Sequence, residues 1–201
     1  MKIIALVMLT LAGTSGVGHA ASATPATAAE AQCRDLPNED FSGIKDTSTQ
    51  VTVTKVVEPV ASAPSYCQVQ GYVSPQVGFE LRLPLTHWNG KFVEVGCGAF
   101  CGDLDFIFLC DIPLRKGYAC LVTDMGHKST KLDGKWAYLN LQAQVDYGFR
   151  ATHVAALAGK ATTEHYFDKA PFKSYYLGCS CGGRQGLVAA QQFPWDFDGI
   201  D

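Results

Sequence analysis

Residues 178–183 read Gly-Cys-Ser-Cys-Gly-Gly and lie between two segments of different character. Before them, SYYLG at 174–178 is a short apolar run typical of a buried strand. After them, RQGLVAAQQF at 184–193 has the pattern of a helix, and Pro194 closes it. The sequence therefore predicts a strand, a tight glycine-rich turn and a helix in direct succession.

The rest of the chain predicts the sheet to which this strand belongs. Alternating segments between residues 51 and 95 indicate strands that start an antiparallel sheet. GYACLVTD at 117–124 is typical of a strand buried on both faces, and apolar residues recur at helical spacing from 141 to 167. This order predicts an α/β sheet with right-handed crossovers, in which catalytic groups gather at the carboxyl ends of strands.

Composition narrows the class of protein. The chain has 201 residues, of which 47% are hydrophobic and 20 are glycine, and its net charge is −3, which fits one globular domain with a sizeable core. Lys and Arg are scattered, so no basic patch offers a footprint for phosphate backbones or anionic lipids. We therefore expect no nucleic-acid partner and no membrane partner for the mature protein.

The first twenty residues predict export. Lys2 precedes an apolar run at 3–12, and small residues stand at Gly18 and Ala20, as in a secretory signal peptide cut near Ala20. The run is about half the roughly 20 residues that a membrane anchor needs. We predict a signal peptide at 1–20, a flexible low-complexity leader at 21–32 and a secreted or periplasmic mature protein.

The predicted export bears on the eight cysteines. In an oxidising compartment they are expected to form disulfides rather than to bind metal. CGAFC at 97–101 and CSC at 179–181 do not repeat a zinc-ligand spacing and have no histidine at ligand distance. The residues therefore predict no metal site in this chain.

The glycine-rich turn satisfies the pattern G-x-S-x-G. At a sharp strand-to-helix turn, this pattern forces a serine into a strained conformation that projects its hydroxyl above the sheet. Ser180 is thus a candidate nucleophile, and the N–H of Cys181 a candidate oxyanion donor. A second donor is expected from the loop after KFVEV, at Gly98 or, failing that, Cys97. The alternative reading of both loops is a glycine turn without chemistry.

A catalytic triad also needs an acid and a histidine, and no histidine follows Ser180. His153 and His165 lie in the predicted long helix, and His87 lies in a turn. His127, after the strand that ends near Asp124, is the one histidine at the expected catalytic edge. His127 is thus the one histidine to test for a site role. Because no histidine follows Ser180, we expect the base to lie outside these 201 residues.

With these residues described, the chain resembles the tannase and feruloyl esterase family of secreted α/β-hydrolases. The resemblance rests on YLGCSCGGRQG, on FPWDFDGI, on WNGKFVEVGCGAF and on VTDMGHKS. It implies an α/β-hydrolase-like mixed, mostly parallel sheet. It also implies that residues 33–201 are the N-terminal part of a catalytic domain, truncated after the nucleophile turn and its helix.

The resemblance also implies features around the cysteines. Cys179 is expected to pair with a cysteine beyond residue 201, next to the catalytic histidine, and a calcium-binding lid domain is expected there as well. Cys33 and Cys67 are expected to pair, by analogy with an N-terminal bridge in relatives. Cys110 and Cys120 are a candidate pair that the residues leave open. A bridge between Cys97 and Cys181 stays open, and Cys101 is left unassigned.

The implied function is a serine carboxylesterase acting on galloyl, feruloyl or related hydroxybenzoate esters through an acyl-enzyme, with this chain inactive alone. No cofactor is expected within the chain. Two alternatives compete with it: a hydrolase of thioesters or peptides, and a non-catalytic secreted binding module stapled by disulfides.

Overall fold

The computed structural model describes residues 27–201, so the predicted signal peptide and the first part of the leader lie outside the described residues. The helices are α1 Ala28–Asp35, α2 Asp111–Arg115, α3 Leu141–Val145, α4 Ala151–Phe167 and α5 Cys181–Gln192. The strands are β1 Thr49–Val57, β2 Tyr66–Val73, β3 Val77–Pro84, β4 Lys91–Val95, β5 Ala119–Thr123, β6 Lys173–Leu177 and β7 Gly199–Ile200. In this part of the chain, no helix combines the length and apolar character that crossing a membrane requires.

The seven strands form one sheet in the order β1-β2-β3-β5-β4-β6-β7. The pairings β1–β2, β2–β3 and β3–β5 are antiparallel, whereas β5–β4, β4–β6 and β6–β7 are parallel. The predicted mixed α/β sheet with an antiparallel start is confirmed. Parallel pairings make up half of the sheet rather than most of it, because β3 adds β5 antiparallel and so extends the antiparallel part by one strand.

The parallel part brings two loops to one edge. Val95, the last residue of β4, lies opposite Leu177, the last residue of β6. The chain stays paired one residue further, since Gly96 N donates to Leu177 O at 2.9 Å. The loop after β4 and the turn after β6 therefore meet at the carboxyl ends of adjacent parallel strands, where α/β proteins place their sites.

The predicted helical stretch at 141–167 is confirmed as three consecutive pieces. A π-helical turn at Asp146–Arg150 joins α3 to α4, and such turns occur frequently at functional sites. Helix α4 approaches the sheet closely, since a Cβ added to Gly159 would lie 2.6 Å from Leu121 Cδ1 and 2.8 Å from Phe92 Cε2. Glycine at 159 thus permits the tight helix-on-sheet contact.

The expectation of a flexible leader through residue 32 is wrong at its end. Thr27 and Glu30 form a capping box that starts α1, which satisfies N–H groups that the first turn leaves without partners. The helix is then fixed to the core, because Tyr166 Oη donates to Ala29 O at 2.9 Å and Cys33 is bonded to Cys67. Small residues in this segment form a helix rather than a linker.

The sheet has two faces with different covers. We call helix face the side that carries Phe92, Glu94 and Tyr176 and packs on α4 and α5. We call groove face the opposite side, which carries Val93, Val95 and Tyr175 and is covered in part by α2. An apolar groove of about 880 Å³ remains open on the groove face.

Three disulfides cross-link the described chain. They join Cys33 to Cys67, Cys97 to Cys101 and Cys110 to Cys120. The first is the pair that the resemblance implied, and the third is a candidate pair that the sequence left open. The bridge between Cys97 and Cys181 that the sequence left open is not formed, because Cys97 pairs with Cys101 instead.

Candidate active site

The turn between β6 and α5 has the backbone of a nucleophile elbow. Ser180 adopts φ 56° and ψ −118° and precedes the first residue of α5, Cys181. A positive φ is uncommon for a residue other than glycine and, where the surroundings enforce it, marks functional sites. The side chain of Ser180 is exposed and does not cap the helix. Its hydroxyl therefore faces solvent at the carboxyl edge of the sheet.

Glycines make this turn sterically allowed. A Cβ added to Gly178 would overlap the carbonyl group of Gly182, and one added to Gly96 would lie 2.6 Å from Gly182 Cα. The loop after β4 and the start of α5 thus pack backbone against backbone. The motif G-x-S-x-G supplies Gly178 and Gly182, and the loop after β4 supplies Gly96.

The candidate oxyanion donors lie in these two segments. Cys181 begins α5, so its N–H has no carbonyl four residues earlier in the helix to bond. A Cβ on Gly182 would lie 3.4 Å from Cys97 O, which places the loop with Cys97 and Gly98 against the helix start. Among the described residues, the N–H groups of Cys97 and Gly98 donate no backbone hydrogen bond. Their role as donors stays a prediction.

The loop after β4 is closed on itself. Ala99 and Cys101 both have positive φ, at 52° and 62°, and Cys101 N donates to Gly98 O at 2.9 Å. This tight turn brings Cys101 back to Cys97, and the two are disulfide-bonded. A four-residue turn therefore explains why CGAFC pairs internally.

Cys181 is a buried free thiol next to that disulfide. Its Sγ lies 3.8 Å from Cys101 Sγ and 3.3 Å from Tyr147 Oη. Burial raises the pKa of Tyr147, and the contact with Cys181 raises it further. No sequence pattern indicates this contact, because Tyr147 lies in the π-helical turn, 34 residues before Cys181.

Two polar residues of α5 fix the helix start. Arg184 donates to Tyr147 O at 2.9 Å and Gly148 O at 3.1 Å, and its guanidinium lies 4.3 Å from the centre of the Tyr147 ring. Gln185 is buried and accepts a hydrogen bond from Tyr176 Oη at 2.6 Å. Arg184 and Gln185, which follow the motif in the sequence, therefore support the turn.

None of the histidines in the described chain hydrogen-bonds to Ser180. His127, the candidate from the sequence, is buried: its Nε2 lies 2.9 Å from Phe100 O, its Nδ1 lies 3.4 Å from Met125 O, and its ring stacks on Trp136. Burial lowers the pKa of His127. The Nε2–H of a neutral ring donates to Phe100 O, and the ring is held by this bond and by its stack on Trp136, which suits a structural role better than proton transfer from Ser180.

The other histidines also have partners or positions away from the turn. His153 Nδ1 lies 2.6 Å from Asp196 Oδ2, and the His153 ring stacks on Phe193. His165 lies 3.6 Å from Glu39, and His87 is exposed. Asp196 is thus engaged with α4, and His153 ties α4 to the segment after α5.

A buried carboxyl group lies on the helix face beside β6. Glu94 is 1% exposed, and neither of its carboxyl oxygens has a hydrogen-bond partner among the described residues. Burial, and then the negative charge of Asp196, raise the pKa of Glu94 well above its ordinary value. Lys160 offsets part of this effect, and burial lowers the pKa of Lys160 in turn. The sequence did not single out Glu94, since KFVEV has the pattern of an ordinary strand.

Metal ligands do not converge in the part of the chain that the structure describes. No group of three or more His, Cys, Asp or Glu side chains there is arranged to hold a metal ion. These residues offer no site for the calcium ion that the resemblance implies, which is expected in a lid domain beyond residue 201.

The family model for tannase and feruloyl esterase matches residues 55–200. The chain belongs to the tannase and feruloyl esterase family. The match includes the elbow, the loop after β4 and the helices α4 and α5.

Individual relatives agree with this assignment. An uncharacterized esterase of Xanthomonas campestris is 33% identical over 199 residues, covering 97% of this chain and 34% of the relative. A probable feruloyl esterase B-1 of Aspergillus terreus is 39% identical over 128 residues, covering 63% of this chain and 23% of the relative. The crystal structure of feruloyl esterase B from Aspergillus oryzae superposes with a TM-score of 0.69 at 28% identity, covering 84% of this chain and 37% of that one. The chain thus spans about a third or less of the length of these curated relatives.

Proposed function

We propose that this chain is the nucleophile-bearing part of a serine carboxylesterase. The observation that carries the proposal is the backbone of Ser180, with φ 56° at an exposed turn between β6 and α5. A strained, exposed serine at the carboxyl edge of a parallel sheet is what an attack on an ester carbonyl requires. Ser180 combines its positive φ with ψ −118°, outside the left-handed helical region in which non-glycine residues with positive φ mostly lie.

The charge that develops on the substrate oxygen would be held by backbone N–H groups. Cys181 N–H stands at the start of α5, where the helix dipole also favours negative charge. Gly98 N–H, or Cys97 N–H, would supply the second donor from the loop that packs on Gly182. Donors held by backbone contacts need no rearrangement during the reaction, which is the property that makes such holes effective.

The proton of the Ser180 hydroxyl would pass to a histidine outside these 201 residues. Both ring nitrogens of His127 face carbonyl groups, and His153 is bound to Asp196. Cys179 is exposed and free in the described chain, and it directly precedes Ser180. A disulfide from Cys179 to a cysteine beside that histidine would hold base and nucleophile within hydrogen-bond range.

The substrates we propose are aromatic esters of the galloyl, feruloyl or hydroxybenzoate type. Support comes from the relatives, two of which are named feruloyl esterases. Ser180 would form an acyl-enzyme that water then hydrolyses. We also propose that the mature protein is secreted or periplasmic, because three disulfides form in the described chain.

The decisive experiment is labelling by a fluorophosphonate probe, mapped by peptide mass spectrometry. Where a longer protein carries this chain together with the base, we expect the label on Ser180 and its loss in Ser180→Ala. Ser42→Ala, at an exposed serine before β1, is the matched control and should keep the label. Absence of label from a folded protein would contradict the esterase and leave the binding module or another chemistry.

A second assay tests where the base lies. The 201-residue chain alone is expected to hydrolyse a nitrophenyl ester no faster than its Ser180→Ala variant. A rate clearly above that variant would show that a residue of this chain, with His127 as first candidate, serves as base.

A further inference from the structure

Three sulfur atoms meet beside the elbow and take no part in the proposed ester hydrolysis. We call Cys97, Cys101 and Cys181 the sulfur cluster. Cys97 and Cys101 are bonded to each other, while Cys181 is a free thiol whose Sγ lies 3.8 Å from Cys101 Sγ. All three residues are buried. A thiol next to a disulfide can exchange with it directly, and this reaction needs no added reagent.

The surroundings suit an exchange between these sulfurs. Gln185 Nε2 lies 2.9 Å from Cys97 Sγ, 3.4 Å from Cys101 Sγ and 3.6 Å from Cys181 Sγ. One amide therefore faces the attacking, central and leaving sulfur atoms. Arg184 Nη2 lies 3.8 Å from Cys181 Sγ, and Cys181 is the first residue of α5, so positive charge stands at the attacking sulfur.

We propose that the sulfur cluster is a site of internal thiol–disulfide exchange, in which the disulfide moves between Cys97–Cys101 and Cys101–Cys181. The Cys181 thiol gives its proton to water, and the thiolate attacks Cys101 Sγ. The Cys101–Cys181 bond forms as the Cys97–Cys101 bond breaks, and the electron pair leaves on Cys97, which takes up a proton. One disulfide and one thiol are present before and after, so no oxidant or reductant is consumed.

The two arrangements tie different parts of the protein together. Cys97–Cys101 closes a loop with a separation of 4 residues, whereas Cys101–Cys181 would join residues 80 apart. The second bond would fasten the loop after β4 to the first residue of α5. Where the proposed function holds, these are the two segments that supply the oxyanion donors, so the exchange would set how rigidly the two donors face each other.

The test is to map the disulfides of the 201-residue chain and its variants. Each protein is oxidised in a glutathione buffer, quenched with acid, alkylated and digested without reduction. Cys97→Ser leaves Cys101 and Cys181, and we expect them to be linked in this variant. The double variant Cys97→Ser with Cys179→Ser should show the same bond, which excludes pairing through the exposed Cys179.

The exchange is also visible in the unmodified chain. During slow alkylation near pH 8, exchange exposes the Cys97 thiol, so the label is expected on Cys97 in addition to Cys179 and Cys181. In Cys181→Ser the Cys97 label should be lost. This comparison does not depend on the folding of Cys97→Ser.

Two results would overturn the proposal. One is a Cys97→Ser protein in which Cys101 and Cys181 are both alkylated although Cys33–Cys67 and Cys110–Cys120 are intact. The other is an unmodified chain whose Cys97 is labelled no more than in Cys181→Ser. Neither measurement uses ester hydrolysis, so the exchange and the esterase proposal stand or fall separately.

Discussion

The two faces of the central sheet are built from alternate residues of the same strands and are covered very differently. On the helix face, Phe92 and Tyr176 are fully buried under α4 and α5. On the groove face, Val93, Val95 and Tyr175 line an apolar groove of about 880 Å³ beside α2. Arg184 and Gln185, which support the elbow, belong to helix α5 on the helix face. The helix face is therefore expected to carry more of the packing energy than the exposed rim of the groove, although Gly178 and Cys179 of the elbow also line that groove.

Truncation of a buried ring tests this difference with the largest expected effect. Phe92 is 0% exposed and packs on Gly159 of α4. Phe92→Ala is expected to lower the free energy of unfolding by about 3–5 kcal/mol, because it removes apolar contacts and leaves a cavity. Urea denaturation followed by circular dichroism measures the change.

The matched variant is on the groove face. Ile112 of α2 lines the groove and is 57% exposed, so Ile112→Ala is expected to cost no more than about 0.5 kcal/mol. Equal losses for Phe92→Ala and Ile112→Ala would remove the distinction between the faces.

The elbow itself supplies the next prediction. A Cβ at position 178 would overlap the carbonyl group of Gly182. Gly178→Ala should therefore push β6 away from α5 and cost about 1–3 kcal/mol, the usual range for an overpacked site. Where a longer protein carries this chain, Gly178→Ala should also reduce fluorophosphonate labelling of Ser180.

Gly183→Ala is the control for position 178. A Cβ at position 183 would meet nothing closer than 3.7 Å, and the residue lies within α5. Alanine there is expected to be neutral or to stabilise by up to about 1 kcal/mol, because it lowers the entropy of the unfolded chain. A loss at 183 as large as at 178 would show that the close contact of Gly178 and Gly182 is not what fixes the turn.

These positions also show how much of the molecule the sequence reveals. G-x-S-x-G between a strand and a helix predicts the turn, and the positive φ of Ser180 agrees with it. Alternation predicts the antiparallel strands and helical spacing predicts α4, because both patterns are local. Pairing of Cys97 with Cys101 was not predicted, since it depends on the left-handed residues Ala99 and Cys101 in the loop.

Contacts between distant segments could not be predicted from the sequence, for a different reason. Glu94 reads as an ordinary strand residue, and its burial results from the position of α4 and α5 above β4. The contact of Tyr147 with Cys181 likewise depends on the π-helical turn. No local pattern encodes either arrangement, because each requires the packing of elements far apart in the chain.

Glu94→Gln examines the helix face by its charge, and its effect is expected in the pH dependence of stability. The buried carboxyl has a pKa raised well above its ordinary value, first by burial and then by Asp196. In the unfolded chain it titrates near pH ~4.3. Between that pH and the folded pKa, the folded state holds the proton that the unfolded state has lost, so stability falls as pH rises.

Glutamine carries no proton to lose, so the two proteins should differ with pH in one direction. Near pH 4 the unfolding free energies of Glu94→Gln and the unmodified chain should be similar, and towards pH 8 the variant should become the more stable. Glu58→Gln, at an exposed position after β1, should leave the profile unchanged. Urea titrations at a series of pH values measure the difference. If the difference in unfolding free energy between Glu94→Gln and the unmodified chain stays constant with pH, the carboxyl group is solvated. The helix face is then less completely closed than the burial of Glu94 indicates.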